Sequence, residues 1–274
     1  MQIDWQKIAY YLAVPGTNNT LSHSDGSFQA ENSALKFPVH GHIVDFTGGA
    51  STKKAGSTSQ LDYWESSKPG LRLPNHPVQV QFAEQRFQYL SRFIPFQDVQ
   101  SGLDVGCGNG VGTISLNRRV DVVFGLDMSW YLLNQMPDNI VGIRGDASRL
   151  PLRDKAVDLS MAWELMHHIE NPVPVLLEMC RVTRRWVVLF EPNRWNPLQA
   201  GFSLAVSKER LGLRNTRSYL TNIMAKARLN VVHYATVGCI FPNKSPIWLA
   251  SVLGKVPFKM PYLGISHLLI AEIQ

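Results

Sequence analysis

Between Leu103 and Phe190 the chain alternates short apolar segments with stretches of helical spacing, and this pattern restricts the fold more than any other feature. Leu103–Val105, Val122–Leu126, Ile140–Ile143, Val157–Ala162 and Trp186–Phe190 read as strands. Gly110–Asn117 and a segment from about Pro172 to Val182 read as helices. Strands and helices taking turns at this spacing predict an α/β fold with a parallel sheet wound on both faces. Upstream, Val78–Phe93 approximates helical spacing behind Pro77. Downstream, Ser207–Leu213 and Arg217–Ala227 read as helices, and Val231–Ile240 and Ile265–Ile273 as the last strands.

The chain has 274 residues, 45% of them hydrophobic, enough to bury a full core. Residues 1–60 differ in composition. Thr17–Gln29 is rich in Asn, Ser, Thr and Gly, and Gly48–Gln60 is almost devoid of apolar side chains. Such stretches cannot repay the entropy of ordering, so a flexible N-terminal extension over 1–60 is expected ahead of an ordered domain over 61–274. A short strand or turn fits Phe37–Phe46. Cys107, Cys180 and Cys239 form no CxxC pair, which suits buried thiols in a reducing compartment. Met1–Val14 lacks a basic segment followed by an apolar one, and no apolar run nears 18 residues. A cytoplasmic protein is expected. The net charge of +6 fits an acidic partner: a nucleic acid, a phosphorylated metabolite, or an anionic membrane touched peripherally.

Gly106-Cys107-Gly108-Asn109-Gly110 lies where the first strand turns into a helix. Glycines there admit positive φ and close approach of a ligand, and the following helix start suits an anionic group. The dinucleotide fingerprint needs Gly or Ala where this chain has Val111, so the G-x-G-x-G spacing disfavours NAD and FAD. Two more acids follow at strand ends. Asp127 can accept both hydroxyl protons of a ribose, and Asp146 can accept from an exocyclic amine such as adenine N6. Asp104, Asp127 and Asp146 thus stand at successive strand ends, the edge where ligands bind in open α/β sheets.

The runs LDVGCGNG, FGLDMS, GDASRLPLRDKAVDLSMAWELMHHIENP and RVTRRWVVLFEPN together resemble the class I S-adenosylmethionine-dependent methyltransferases. The likeness is nearest to the broad subgroup that modifies small molecules, quinones, lipids and glycans. It covers about Tyr63–Asn196 well and the last third loosely. The resemblance implies a Rossmann-like, doubly wound, seven-stranded sheet, mostly parallel with an antiparallel last strand. It implies S-adenosyl-L-methionine as cofactor. Asp104 with Gly106, Cys107, Gly108 and Gly110 would hold the methionine portion, Asp127 the ribose, and Asp146 with Ala147 the adenine. Met128 would lie against the adenine, and Asp158 matches a structural position.

An activated methyl donor leaves the protein mainly the task of alignment, which supplies up to about 7–11 kcal/mol for well-oriented pairs. A hydroxyl or carbon acid acceptor also needs a base. His168, in Trp163-Glu164-Leu165-Met166-His167-His168, is the candidate base, and Glu191 is a candidate to orient the acceptor. The paired His167–His168 shows no third ligand at suitable spacing, so no metal is expected. Ala162-Trp163-Glu164-Leu165 departs from the tetrapeptide of amino-methylating nucleic-acid enzymes, which disfavours a nucleic-acid acceptor. Segments at about 198–218 and 241–264 are expected to cap the acceptor side. There Phe241, Ile247, Trp248, Leu249, Val256, Phe258 and Tyr262 would wall an apolar pocket, with Lys255 and Lys259 for an anionic group. The expected activity is methyl transfer to an oxygen or carbon of a small, lipid-linked or glycan-linked acceptor. The rival readings are an RNA or protein methyltransferase, suggested by Arg181, Arg184 and Arg185, and a non-catalytic cofactor-binding homologue.

Overall fold

A computed structural model describes residues 3–31, 33–48, 62–65 and 70–273. The chain opens with a short helix, α1 (Trp5–Ala9), whose first N–H groups are capped by Asp4 Oδ1. Strands β1 (Leu21–Ser24), β2 (Ser27–Ala30), β3 (Lys36–His40) and β4 (Ile43–Asp45) then run antiparallel, each to the next. The helix α2 (Pro77–Leu90) follows, with proline at its start, where no N–H is needed.

The alternating part comprises β5 (Ser101–Val105), α3 (Val111–Asn117), β6 (Val122–Asp127), α4 (Trp130–Leu133), β7 (Val141–Arg144), β8 (Val157–Trp163), α5 (Val173–Val182) and β9 (Thr183–Pro192). The last third adds α6 (Pro197–Ala205), a 3-10 stretch Ser207–Arg214, α7 (Arg217–Lys226), β10 (Asn230–Val237), α8 (Ile247–Leu253) and β11 (Ser266–Glu272). The strand order is β1-β2-β3-β4-β7-β6-β5-β8-β9-β11-β10. From β4 to β9 every neighbour is parallel, and β11 lies antiparallel between β9 and β10.

The last seven strands in that order are the mostly parallel sheet expected, with β11 as its antiparallel member. The count differs: the sheet has 11 strands, because four N-terminal strands extend the edge beyond β7. This also corrects the expected flexible extension over residues 3–31 and 33–48. Polar composition hid a sparse set of apolar anchors, Leu12, Leu21, Phe28 and Val44, each at most 5% exposed and packed into the core with Phe124 and Leu150. Parallel pairing of β4 with β7 then supplies backbone partners. Residues 1, 2, 32 and 49–60 of that expectation lie outside the described residues.

The buried apolar side chains form one layer on each face of the sheet. Leu176, Met179, Leu220 and Met224 of α5 and α7 close one, and Phe87, Leu90, Leu116 and Leu133 of α2, α3 and α4 close the other. Strands apolar on both faces require such double cover. It leaves the carboxyl edge of the parallel strands for the site. No helix among the described residues is long and apolar enough to cross a membrane.

Candidate active site

At that carboxyl edge lies a cavity of about 1160 Å³. Asp104, Asp127 and Asp146 all line it, and so do Gly106, Cys107, Gly108, Met128 and Ala147. The sheet register brings them together: Asp104 is level with Gly125 on β6, and Asp127 with Arg144 on β7. Gly110, expected at the cofactor, is not on the wall. It holds φ +87° at the start of α3, where a Cβ would meet Met136 Cγ at 2.3 Å, so its role is to make the turn and admit Met136.

Each acid is held differently. Asp127 Oδ2 accepts from Gly108 N–H at 2.9 Å, and its Oδ1 from Ser129 N–H at 2.8 Å, which aims the carboxylate across the glycine loop. Burial pushes its pKa up against those hydrogen bonds. Asp104 accepts from Thr113 Oγ1–H at 2.7 Å through Oδ2, while its buried Oδ1 has no partner. Desolvation, opposed by the Thr113 bond and helped by nearby Asp127, raises the Asp104 pKa to about 7. Asp146 Oδ1 takes two bonds from Ser148, its N–H at 2.8 Å and Oγ–H at 2.7 Å. Asp158 binds the N–H groups of Gln100 and Ser101 and the Arg184 guanidinium, a structural brace between β5 and β8.

The far wall departs from expectation. His168 lines the cavity, and burial and the neighbouring His167 push its pKa down to about 3, so the imidazole is neutral. Its buried Nδ1 is unpaired, as is the indole Nε1–H of Trp163 on the same wall. Glu191 does not line the cavity. Its buried carboxylate accepts from the N–H groups of Met166 and His167, from His167 Nδ1–H at 2.9 Å and from Asn215 Nδ2–H, which commits it to holding the turn after β8. Glu191 therefore has no lone pair directed at an acceptor.

Sequence spacing concealed Glu209. Folded on the 3-10 stretch after α6, it meets His167 Nε2 at 3.0 Å and completes a cluster of His167, His168 and Glu209, so the third potential metal ligand that the sequence lacked is supplied by a residue 42 positions away. His167 is bonded through both nitrogens to carboxylates, and these raise its pKa against burial to about 10. Trp64, in edge contact with His168 at 5.4 Å, and Asn109, which donates to the Arg72 carbonyl, also border the cavity. Trp64 belongs to no motif, and Asn109, inside the glycine loop, was given no role from the sequence.

Both expected cap segments reach the wall, through Gln199, Phe202, Lys208 and Leu211 on one side and Phe241, Asn243 and Lys244 on the other. The lysines on the wall are Lys208 and Lys244 rather than Lys255 and Lys259. Of the apolar residues expected there, Phe241 lines the cavity, while Ile247, Trp248 and Tyr262 point to solvent.

The family model for a methyltransferase domain matches residues 103–190. Among curated proteins, the chain is 31% identical over 121 residues to an uncharacterized 37.1 kDa protein in transposon Tn4556 of Streptomyces fradiae, covering 40% of this chain and 35% of that one. It is 30% identical over 105 residues to 27-O-demethylrifamycin SV methyltransferase of Amycolatopsis mediterranei, covering 35% and 39%. The chain spans little more than a third of the length of these relatives. Among solved structures, a SAM-dependent methyltransferase of Thermotoga maritima aligns with TM-score 0.55 at 16% identity, covering 72% of this chain and 91% of that one. Magnesium protoporphyrin IX methyltransferase of Synechocystis, with bound SAH, aligns with TM-score 0.55 at 13% identity, covering 80% and 99%. At such identities the structural likeness is one of fold. Strand order, loop and matched model converge, and residues 103–190 form a methyltransferase domain.

Proposed function

We propose that this chain transfers a methyl group from S-adenosylmethionine to an oxygen or carbon of a small, lipid-linked or glycan-linked acceptor. The observation that carries the reading is the convergence of Asp104, Asp127 and Asp146 on one cavity, each with a different free valence. The unpaired Asp104 Oδ1 fits the cofactor's ammonium group, since a buried acceptor without a partner costs about 1–3 kcal/mol that such a donor recovers. Asp127, fixed by the loop N–H groups, would accept the ribose hydroxyls, and Asp146 with Ala147 and Met128 would border the adenine. The cofactor supplies a methyl group already activated on a sulfonium.

The chain's own part is to orient and to exclude water. Trp163, Trp64, Phe202 and Phe241 give the acceptor side apolar walls, and Lys208 and Lys244 favour an anionic group on the acceptor. His168 is the one neutral imidazole on this wall with an unpaired nitrogen, placed to take a proton from the acceptor. Its depressed pKa makes it a weak base, so the reading requires an acidic acceptor proton.

Calorimetry with S-adenosylhomocysteine tests the cofactor half: wild type binds, and Asp127→Ala loses at least tenfold in affinity. Equal absence of binding in both would sink the reading. Labelled cofactor incubated with lipid and polar metabolite fractions tests the transfer itself. Label in neither fraction, despite cofactor binding, would favour the non-catalytic homologue.

A further inference from the structure

Exposed large apolar side chains crowd one end of this molecule. Trp195, Leu198, Leu204, Trp248, Tyr262 and Leu263 are each more than half exposed. They come from three segments separated in sequence, and the sheet register gathers those segments at one edge. Pro192 at the end of β9 pairs with Ser266 at the start of β11, which pairs with Val237 at the end of β10. The chain therefore leaves β9, leaves β10 and enters β11 at one level, the edge that also bears the cavity. Asn193 and Asn196 tie two of these segments together by donating to the carbonyls of Tyr262, Leu263 and Gly264.

Charge follows the same distribution. The segments that reach this edge, 193–214 and 238–264, hold seven Lys and Arg against one acid, Glu209. Arg194, Arg210, Lys244, Lys255 and Lys259 are exposed, and among the described residues none of them forms an ion pair. The Arg194 guanidinium stacks over the Trp195 ring at 5.0 Å. Apolar patches of this kind rimmed by polar groups mark interaction sites, and amphipathic tryptophan and tyrosine suit the boundary between water and lipid. Interleaved lysine and arginine add attraction for anionic headgroups.

We propose that this edge is a docking surface for an anionic lipid bilayer, which presents the mouth of the cavity to the membrane. That the acceptor is then a membrane-borne molecule rests on the methyl-transfer reading above; the docking itself does not. The basic aromatic face and the cavity mouth share the segments after β9 and β10, so a lipid-linked acceptor would reach Phe202 and Phe241 without crossing bulk water.

Co-sedimentation with phosphatidylcholine vesicles, with and without phosphatidylglycerol, tests the proposal. The wild-type chain should bind phosphatidylglycerol vesicles at least tenfold more tightly than phosphatidylcholine alone, with a blue shift in tryptophan emission and weakening in high salt. Trp195→Glu with Trp248→Glu should lose at least tenfold of that binding, and Lys255→Glu with Lys259→Glu should lose the preference for anionic lipid. Both pairs lie off the cavity wall, so S-adenosylhomocysteine affinity should stay at the wild-type value and report intact folding. Failure of the wild type to bind either vesicle would overturn the proposal, as would wild-type vesicle binding by both folded pairs. Self-association abolished by the tryptophan substitutions, without vesicle binding, would assign the face to a second copy of the chain. Salt-sensitive binding to RNA without vesicle binding would assign it to nucleic acid. Vesicle binding without any S-adenosylhomocysteine binding would leave the docking standing and remove the methyl-transfer reading.

Discussion

Gly110 and Gly108 both hold positive φ, +87° and +56°, yet only one is sterically enclosed. A Cβ on Gly108 meets nothing within 4 Å, whereas on Gly110 it collides with Met136 Cγ at 2.3 Å. Left-handed backbone costs a non-glycine residue about 1–2 kcal/mol, and overpacking adds about 1–3 kcal/mol. Gly110→Ala is therefore expected to destabilise the fold more than Gly108→Ala, as denaturant titration of both would show; equal losses would refute the packing role. Asp104 invites a pH test. With its pKa raised to about 7 it is neutral in acid, and only the ionised form pairs with an ammonium group. Affinity for S-adenosylhomocysteine should rise by up to tenfold per pH unit below about 7 and level above it, and Asp104→Asn should flatten the profile. The three acids were legible because each follows an apolar strand segment. Glu191 was misread for the same reason: it also ends a strand, but the turn at Met166 and His167 claims its lone pairs.

At the scale of elements, the strands β5 to β9 were readable because both faces are buried and the apolar runs are continuous. Of the N-terminal strands only the pair near Phe37–Phe46 was read; β1 and β2 were not, since they place one or two apolar residues among polar ones. Phe28 carries much of their attachment, being fully buried and in ring contact with Trp5 and His23. Phe28→Ala should cost about 3–5 kcal/mol if residues 3–48 are integral to the core. A loss below about 1 kcal/mol in chemical denaturation would restore the picture of a loosely attached extension.

Across the whole molecule, two histidines are kept neutral, the half-buried His168 with its pKa near 3 and the buried His267 lowered to about 4 by burial. Since their pKa values lie below the unfolded value of about 6.5, the stability they confer is full above that pH and is lost as pH falls toward the folded values. His267 alone accounts for up to about 3 kcal/mol over that window. His167 has the opposite sign: raised to about 10 by Glu191 and Glu209, its contribution is full below about 6.5 and lost as pH climbs through the folded value. The folded state should weaken between about pH 6.5 and 4, and His267→Gln should make that decline shallower in denaturation curves taken across pH. An unchanged slope would show that His267 titrates as it does in the unfolded chain. By itself the sequence determined the parallel α/β core, the glycine loop and the acids at successive strand ends, because strand period and loop chemistry are local properties. Tertiary structure alone decided that Glu209 joins His167, that Glu191 turns inward, that the N-terminal strands extend the sheet beside β7, and that Trp195, Trp248 and Tyr262 share one edge. Each of those depends on which distant segments the sheet register sets side by side, and no local pattern of residues encodes that.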